Sequence, residues 1–223
     1  MRTPVVVAID GPAGSGKSTL ARDLASALHL PYVNTGIMYR ALTRRALRAG
    51  VDVDDGPALA ALARRMRFDL DRTLEPAALQ VDGRRPAEEL AAAEVESNVS
   101  RVARHPEVRE VLRAEQRRLG GDGAVLEGRD IGSVVFPEAT LKLYLQADVE
   151  ARAARRAHER ETDEGERAVA QRLEARDTLD ARVNPFVPPA DAVVIDTTSM
   201  DAAQVLARAL ELVRERTDRD AER

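Results

Sequence analysis

Apolar residues follow two rhythms along this chain. Short unbroken runs occur at Val5-Val6-Val7-Ala8-Ile9, Tyr32-Val33, Ala124-Val125-Leu126, Leu141-Lys142-Leu143-Tyr144-Leu145 and Ala192-Val193-Val194-Ile195. Each follows a loop signal and precedes a helical stretch, the pattern of strands covered on both faces of a parallel sheet. Between them apolar residues return at helical spacing, as at Leu20, Leu24, Ala27 and Leu28, and again at Leu206, Leu210 and Val213. Five strands alternating with helices predict a doubly wound α/β fold on a five-stranded, mostly parallel sheet. The tail from Arg216 to Arg223 is polar apart from Ala221 and predicts a frayed end.

The alternation is interrupted from about residue 55 to about 120. Phe68-Asp69-Leu70 and Leu79-Gln80-Val81 alternate across turn residues and predict a β-ribbon, and helices follow to Arg118 with a break at His105-Pro106. At ~150 residues per domain the chain is too short for two full domains, so this stretch reads as an insertion within a single domain, 1–223.

Composition narrows the chemistry. Aromatics are 3% with no Trp, so the core is built from Ala, Leu and Val and base stacking is disfavoured as the main business. The 34 basic and 38 acidic residues give a net charge of −4, which argues against a nucleic-acid partner. The absence of Cys excludes disulfides and thiolate chemistry, and His29, His105 and His158 have no metal-ligand spacing. No apolar run approaches the ~20 residues of a membrane span, and the N-terminus lacks a signal-peptide pattern. A soluble, cytoplasmic monomer without membrane attachment is the expectation. Only Lys17 and Lys142 of the 34 basic residues are lysines, so a lysine at a motif position carries more weight than usual.

The segment Gly11-Pro12-Ala13-Gly14-Ser15-Gly16-Lys17-Ser18-Thr19 joins the first strand to the first helix and completes the P-loop pattern GxxxxGKS. Its backbone N–H groups cradle phosphate at a helix N-terminus, its lysine reaches the β- and γ-phosphates, and the Ser18 hydroxyl ligates Mg²⁺. ATP with Mg²⁺ is therefore expected. The Asn-Lys-x-Asp motif of GTPases and the Leu-Ser-Gly-Gly signature of ABC ATPases are both missing. Small size, many arginines and the insertion point to a phosphotransferase with a small acceptor, which must hold two polyanions close together.

Further candidates lie where strands end on the ligand edge of such a sheet. Thr35 and Arg40 belong to Asn34-Thr35-Gly36-Ile37-Met38-Tyr39-Arg40 after the second strand; Arg40 reads either as a clamp for an acceptor phosphate or as a surface arginine. Arg129 and Asp130 follow the third long strand, where an Asp can orient a magnesium-bound water or an acceptor hydroxyl. Arg152, Arg155 and Arg156 share a helical face and read as a lid at about 150–168, or as an ion-paired solvated helix with the acids from Glu159 to Glu166. By helix grammar alone, Arg176 to Arg182 is an exposed helix end.

Taken together, Ile9 to Thr19, Asn34 to Ala41, Val99 to Ala103 with Pro106 to Arg109, Gly128 to Pro137, Arg176 to Asp180 and Ala190 to Thr197 resemble the bacterial cytidylate kinases among P-loop nucleoside monophosphate kinases. The resemblance covers nearly the whole chain. It implies ATP-dependent phosphorylation of CMP and dCMP, with Thr35, Arg40 and Arg129 on the acceptor phosphate. It further implies that Ser100, Arg109 and Asp130 read cytosine and that Arg176 and Asp180 contact the ribose. Lys17, Arg129, Asp130 and the lid's Arg155 would serve catalysis, and the insertion would bind the monophosphate. The chain departs from the family pattern at Asn34, where Asp is usual, and at Ala91, where Arg is usual. It is also one residue shorter over 182–186. A kinase for another small acceptor, and a nucleotide-binding regulator without turnover, remain open alternatives.

Overall fold

The structure is a computed structural model that describes residues 4–86, 88–160, 166–183, 185 and 187–221. The first strand, β1 (Val6–Asp10), is buried throughout and lies near the middle of the sheet. Its neighbours are β5 (Ala124–Glu127) and β6 (Leu141–Gln146), both parallel to it. Outside these lie β2 (Tyr32–Asn34) beside β5 and β7 (Val193–Asp196) beside β6, again parallel. These are the five strands read from the apolar runs.

The ribbon of the insertion does not stand apart from them. Strands β3 (Phe68–Asp71) and β4 (Ala78–Val81) pair antiparallel, and β4 joins β2 through Tyr32 and Ala78, extending the sheet to seven strands in the order β3-β4-β2-β5-β1-β6-β7. The reason is that β2 would otherwise present unpaired backbone groups on one side, and the Tyr32 N–H is satisfied by the Ala77 carbonyl at 2.8 Å.

Strand alternation decides which helix covers which face. Val7 and Ile9 pack with Leu141, Leu143 and Leu145 beneath α1 (Lys17–Leu28) and α8 (Ala202–Ala221). Val6 and Ala8 pack with Val33 and Leu126 beneath α2 (Thr35–Ala49), α3 (Gly56–Ala63), α4 (Ala93–Ala103) and α5 (Pro106–Gly120). Pro106 opens α5 at its first turn, so the His105-Pro106 break is a helix start. Helix α8 continues through Ala221, into the tail expected to fray.

Two further helices, α6 (Val149–Arg160) and α7 (Glu166–Val183), pack on one another through Ala153, Val169 and Leu173. Residues 161–165 between them, assigned to the lid by sequence, lie outside the described residues, as do Asn184 and Phe186. Among the described residues no helix is long and apolar enough to cross a membrane. Chain connections leave β1 toward β2 on one side and β5 toward β6 on the other, and at such a switch point the strand ends open a crevice.

Candidate active site

The crevice floor is the loop from Gly11 to Gly16. Gly11 has φ +144°, and a Cβ there would lie 2.1 Å from the Leu145 carbonyl oxygen, so only glycine lets the loop pass β6. The loop carbonyls are engaged from outside. Gly11 O accepts from Arg129 at 3.0 Å, Pro12 O from Lys17 Nζ at 2.5 Å, and Ala13 O from Arg152 at 3.1 Å. Helix α1 then starts at Lys17 with no acid in its first turn, leaving the positive end of its dipole for an incoming anion. Lys17 is buried; burial and the neighbouring Arg129 push its pKa well below the usual lysine range. A bound polyanion would favour its charged form.

A chain of hydrogen bonds runs from this loop to β2. Ser18 Oγ donates to Glu127 Oε2 at 2.8 Å, Tyr32 OH donates to Glu127 Oε1 at 2.5 Å, and Asn34 Nδ2 donates to Tyr32 OH at 3.1 Å. Glu127 is a buried carboxylate to which the sequence motifs assign no role. The available signal was an acid closing a fully apolar strand, directly before Gly128-Arg129-Asp130. Asn34 also caps α2, accepting from Ile37 N at 3.2 Å, so the departure from Asp preserves the cap. Ser18 and Glu127 offer two hard oxygen donors side by side. That set suits a small divalent cation that keeps waters and takes its remaining ligands from substrate phosphates.

Asp130 takes a different position from the one expected. Its Oδ2 accepts from Arg109 at 2.8 Å and from Arg113 Nε at 3.0 Å, both on α5. The carboxylate bonded to the P-loop hydroxyl is Glu127, so a magnesium-orienting role for Asp130 is corrected: two guanidiniums hold it on the insertion side. Arg113, unremarked in the sequence, is one of them. Beneath this loop Asp10 accepts from the N–H groups of Ile131 (2.9 Å) and Gly132 (2.8 Å), at the start of a single π-helical turn, Ile131–Val135. Burial raises the Asp10 pKa to about 6, against the lowering effect of those two bonds.

Helix α7 closes the opposite wall. Asp180 joins three elements: it accepts from Ser100 Oγ of α4 at 2.9 Å and from Arg129 Nε at 3.2 Å, with Arg176 Nε 3.8 Å away. Arg176 also reaches Glu96 at 3.0 Å, and its pKa falls to about 10 through burial and the nearby Arg129, with Arg40 adding to the lowering. The expectation of an exposed helix end is therefore overturned for Arg176 and Asp180, although Arg182 is exposed. The lid arginines divide. Arg156 lines the cleft, whereas Arg152 is buried against the loop and Asp177. Arg155 is not brought to the cleft. It donates to Thr197 Oγ1 at 3.0 Å and to the Thr197 and Met200 carbonyls, so its donors brace the β7–α8 connection. The other scarce lysine, Lys142, is buried over Gly132 and pairs with Asp191 at 2.7 Å, away from the cleft.

The cleft encloses about 600 Å³. Lys17, Ser18, Thr35, Arg40, Ser100, Arg109, Arg129, Asp130, Arg176 and Asp180 all line it, together with Gly14 and Ala13 of the loop. Gly11, Pro12, Ser15, Gly16 and Thr19 shape the loop without lining this cavity. Lys17 and five arginines face three acids there, an excess of positive charge inside a chain of net charge −4. Such a cleft focuses field toward a polyanionic ligand.

Comparison with known proteins agrees with this geometry. The gluconokinase of Sinorhizobium meliloti superposes with a TM-score of 0.52 at 14% identity, covering 96% of this chain and 94% of its own, a likeness of fold. Cytidylate kinase of Shouchella clausii is 44% identical over 216 residues, 94% of this chain and 96% of that protein. Cytidylate kinase of Exiguobacterium sibiricum is 42% identical over 214 residues, 93% and 96% respectively. The family model described as Cytidylate kinase matches residues 7–215, a span that includes the loop, the Asp130 ion pairs and Asp180. A P-loop cleft on this sheet, with matches along nearly the full chain, establishes that the chain belongs to the cytidylate kinase family.

Proposed function

We propose that this chain transfers the γ-phosphoryl group of ATP to CMP or dCMP, giving ADP and CDP or dCDP. One observation carries the reading: the phosphate loop and the polar side chains Ser100, Arg109, Asp130 and Asp180 line one cleft, and Arg129 is bonded to both sides, through Gly11 O and Asp180. A guanidinium in that position spans the donor and acceptor phosphates and neutralises charge as the phosphoryl group moves between them.

The loop N–H groups and Lys17 hold the ATP phosphates, and Thr35, Arg40 and Arg129 hold the acceptor phosphate. Ser18 and Glu127 would hold Mg²⁺, which supplies charge neutralisation across the β- and γ-phosphates. Cytosine carries an amine donor beside a ring nitrogen and a carbonyl that both accept. Asp130 accepts from the amine, and Arg109 donates to the acceptors. Uracil reverses part of that pattern and would leave buried polar groups unpaired, so UMP is the poorer acceptor. Ser100 orients Asp180 for the ribose beside Arg176. No covalent enzyme intermediate is needed, because positioning and electrostatics suffice for in-line transfer. We further propose that the chain acts as a monomer on small-molecule substrates in the cytoplasm.

The test is ADP formation from MgATP with CMP, dCMP, UMP, AMP, GMP or no acceptor. Turnover with CMP and dCMP far above the others is expected. Preference for another acceptor would overturn the cytosine assignment, and ATP binding without acceptor-dependent turnover would favour a regulator.

A further inference from the structure

Three arginines reach the cleft from three different helices: Arg40 on α2, Arg156 on α6 and Arg176 on α7. All three aim a guanidinium at one atom, Oε1 of Glu96 on α4, at 3.5, 3.5 and 3.0 Å. Neither the motifs nor the proposed roles above use Glu96.

We propose that Glu96 is a built-in competitor for the acceptor phosphate, a carboxylate that holds the convergence of Arg40, Arg156 and Arg176 and yields it when a nucleoside monophosphate binds. The inference rests on the reading that Arg40 holds the acceptor phosphate, and it extends that hold to Arg156 and Arg176. Its physical basis is a mismatch of valence. Three guanidiniums converge on one oxygen of a carboxylate that carries a single negative charge, at 3.0–3.5 Å. A phosphate monoester brings three terminal oxygens and up to two charges, one oxygen for each guanidinium. It therefore matches the cluster better than Glu96 does.

An anion is needed there even without substrate. Arg176 is buried beside Arg129 and Arg40, and their repulsion already weakens its hold on a proton. Glu96 offsets that repulsion and keeps the arginines converged. Once phosphate arrives, the same carboxylate repels it and must turn away; with 23% of its side chain exposed, it has solvent to turn toward. The consequence is a looser acceptor site than the arginines alone would make, and faster release of the phosphorylated product.

The experiment compares Glu96→Gln and Glu96→Ala with the wild-type chain. It measures KM for CMP, KM for ATP and kcat, the Kd of CMP by calorimetry without ATP, and inhibition by cytidine, which lacks the phosphate. In both variants KM and Kd for CMP are expected to fall at least fivefold, with cytidine inhibition and KM for ATP moving less than twofold. Unchanged or weaker CMP binding in a folded Glu96→Gln chain would overturn the inference, since Glu96 would then be a support for the arginines and not their competitor. A cytidine effect as large as the CMP effect would overturn it too. Failure of the underlying reading is separately visible: a wild-type chain inert with CMP removes the substrate assignment. The inference then falls only if no nucleoside monophosphate binds more tightly to Glu96→Gln than to wild type.

Discussion

Replacing Arg109 with Met separates the acceptor side of the cleft from the ATP side. Arg109 is 8% exposed and bonds Asp130 at 2.8 Å and the Ala103 carbonyl at 3.4 Å. Stripping a buried carboxylate of its partner ordinarily costs about 3–5 kcal/mol. Here Arg113 still donates to the same oxygen, so Asp130 is not stranded, and methionine replaces the aliphatic stem of arginine. Folding stability should therefore fall by about 1.5–3 kcal/mol, on the order of one hydrogen bond to a charged group. Catalysis loses a charged donor to the base, about 1.5–3 kcal/mol, which at 1.4 kcal/mol per tenfold is a loss of roughly 10- to 150-fold in kcat/KM for CMP. Arg109 bonds Asp130 and the Ala103 carbonyl, on the insertion side of the cleft, so KM for ATP should change less than about twofold. A coupled assay of ADP formation at varied CMP and varied ATP, with UMP alongside and thermal melting as the control for folding, reads all three quantities. A folded variant that loses less than threefold with CMP, or loses equally against ATP, would refute the assignment of Arg109 to the acceptor base.

Lys17→Met should lower kcat by about 10²- to 10³-fold, the usual effect of removing one donor to developing charge, while calorimetry still detects CMP binding; a loss below tenfold would remove Lys17 from the chemistry. Asp10 supplies a pH signature. Its carboxyl is raised from 3.8 to about 6 in the fold, so its contribution is fully present below about pH 4 and is lost as pH rises through 6, about 3 kcal/mol in all. Denaturation at pH 4.5 and 7.5 should show Asp10→Asn flattening that decline, and a wild-type-minus-variant difference that stays constant with pH would contradict the sign. Gly128→Ala places a Cβ 2.7 Å from Ile131 Cδ1 and 2.8 Å from Thr35 Oγ1, where the ends of β5 and β2 meet. Overpacking there should cost about 1–3 kcal/mol in melting experiments and raise KM for CMP, whereas an unshifted melting temperature would mean the strand ends are looser than they stand.

The contrast between what was legible and what was not follows chain distance. Each apolar run became a strand because a parallel strand buried on both faces needs nothing but its own residues to declare itself. The loop from Gly11 to Ser18 was equally plain, since its glycines answer a backbone demand within nine consecutive residues. The ribbon at 68–81 was read correctly as a pair, but its attachment to β2 was not, because one parallel contact between Tyr32 and Ala78 leaves no pattern in either segment. Arg155 and Arg156 are neighbours on one helix with identical local grammar. One braces Thr197 and the other lines the cleft, and only the packing of α6 against the β7–α8 connection separates them.

The sequence by itself determined the five parallel strands, the phosphate loop, the family and most of the side chains that line the cleft. Tertiary structure alone decided which charges stand together. Ser100 and Asp180 bond across 80 residues, Arg40 and Glu96 across 56, and Ser18 and Glu127 across 109. Charged side chains at such separations leave no periodicity, because their partners are chosen by where helices dock and not by their neighbours in the chain. Hence Glu127, Arg113, Asp10 and Glu96 pass as ordinary polar residues until the fold brings their partners to them.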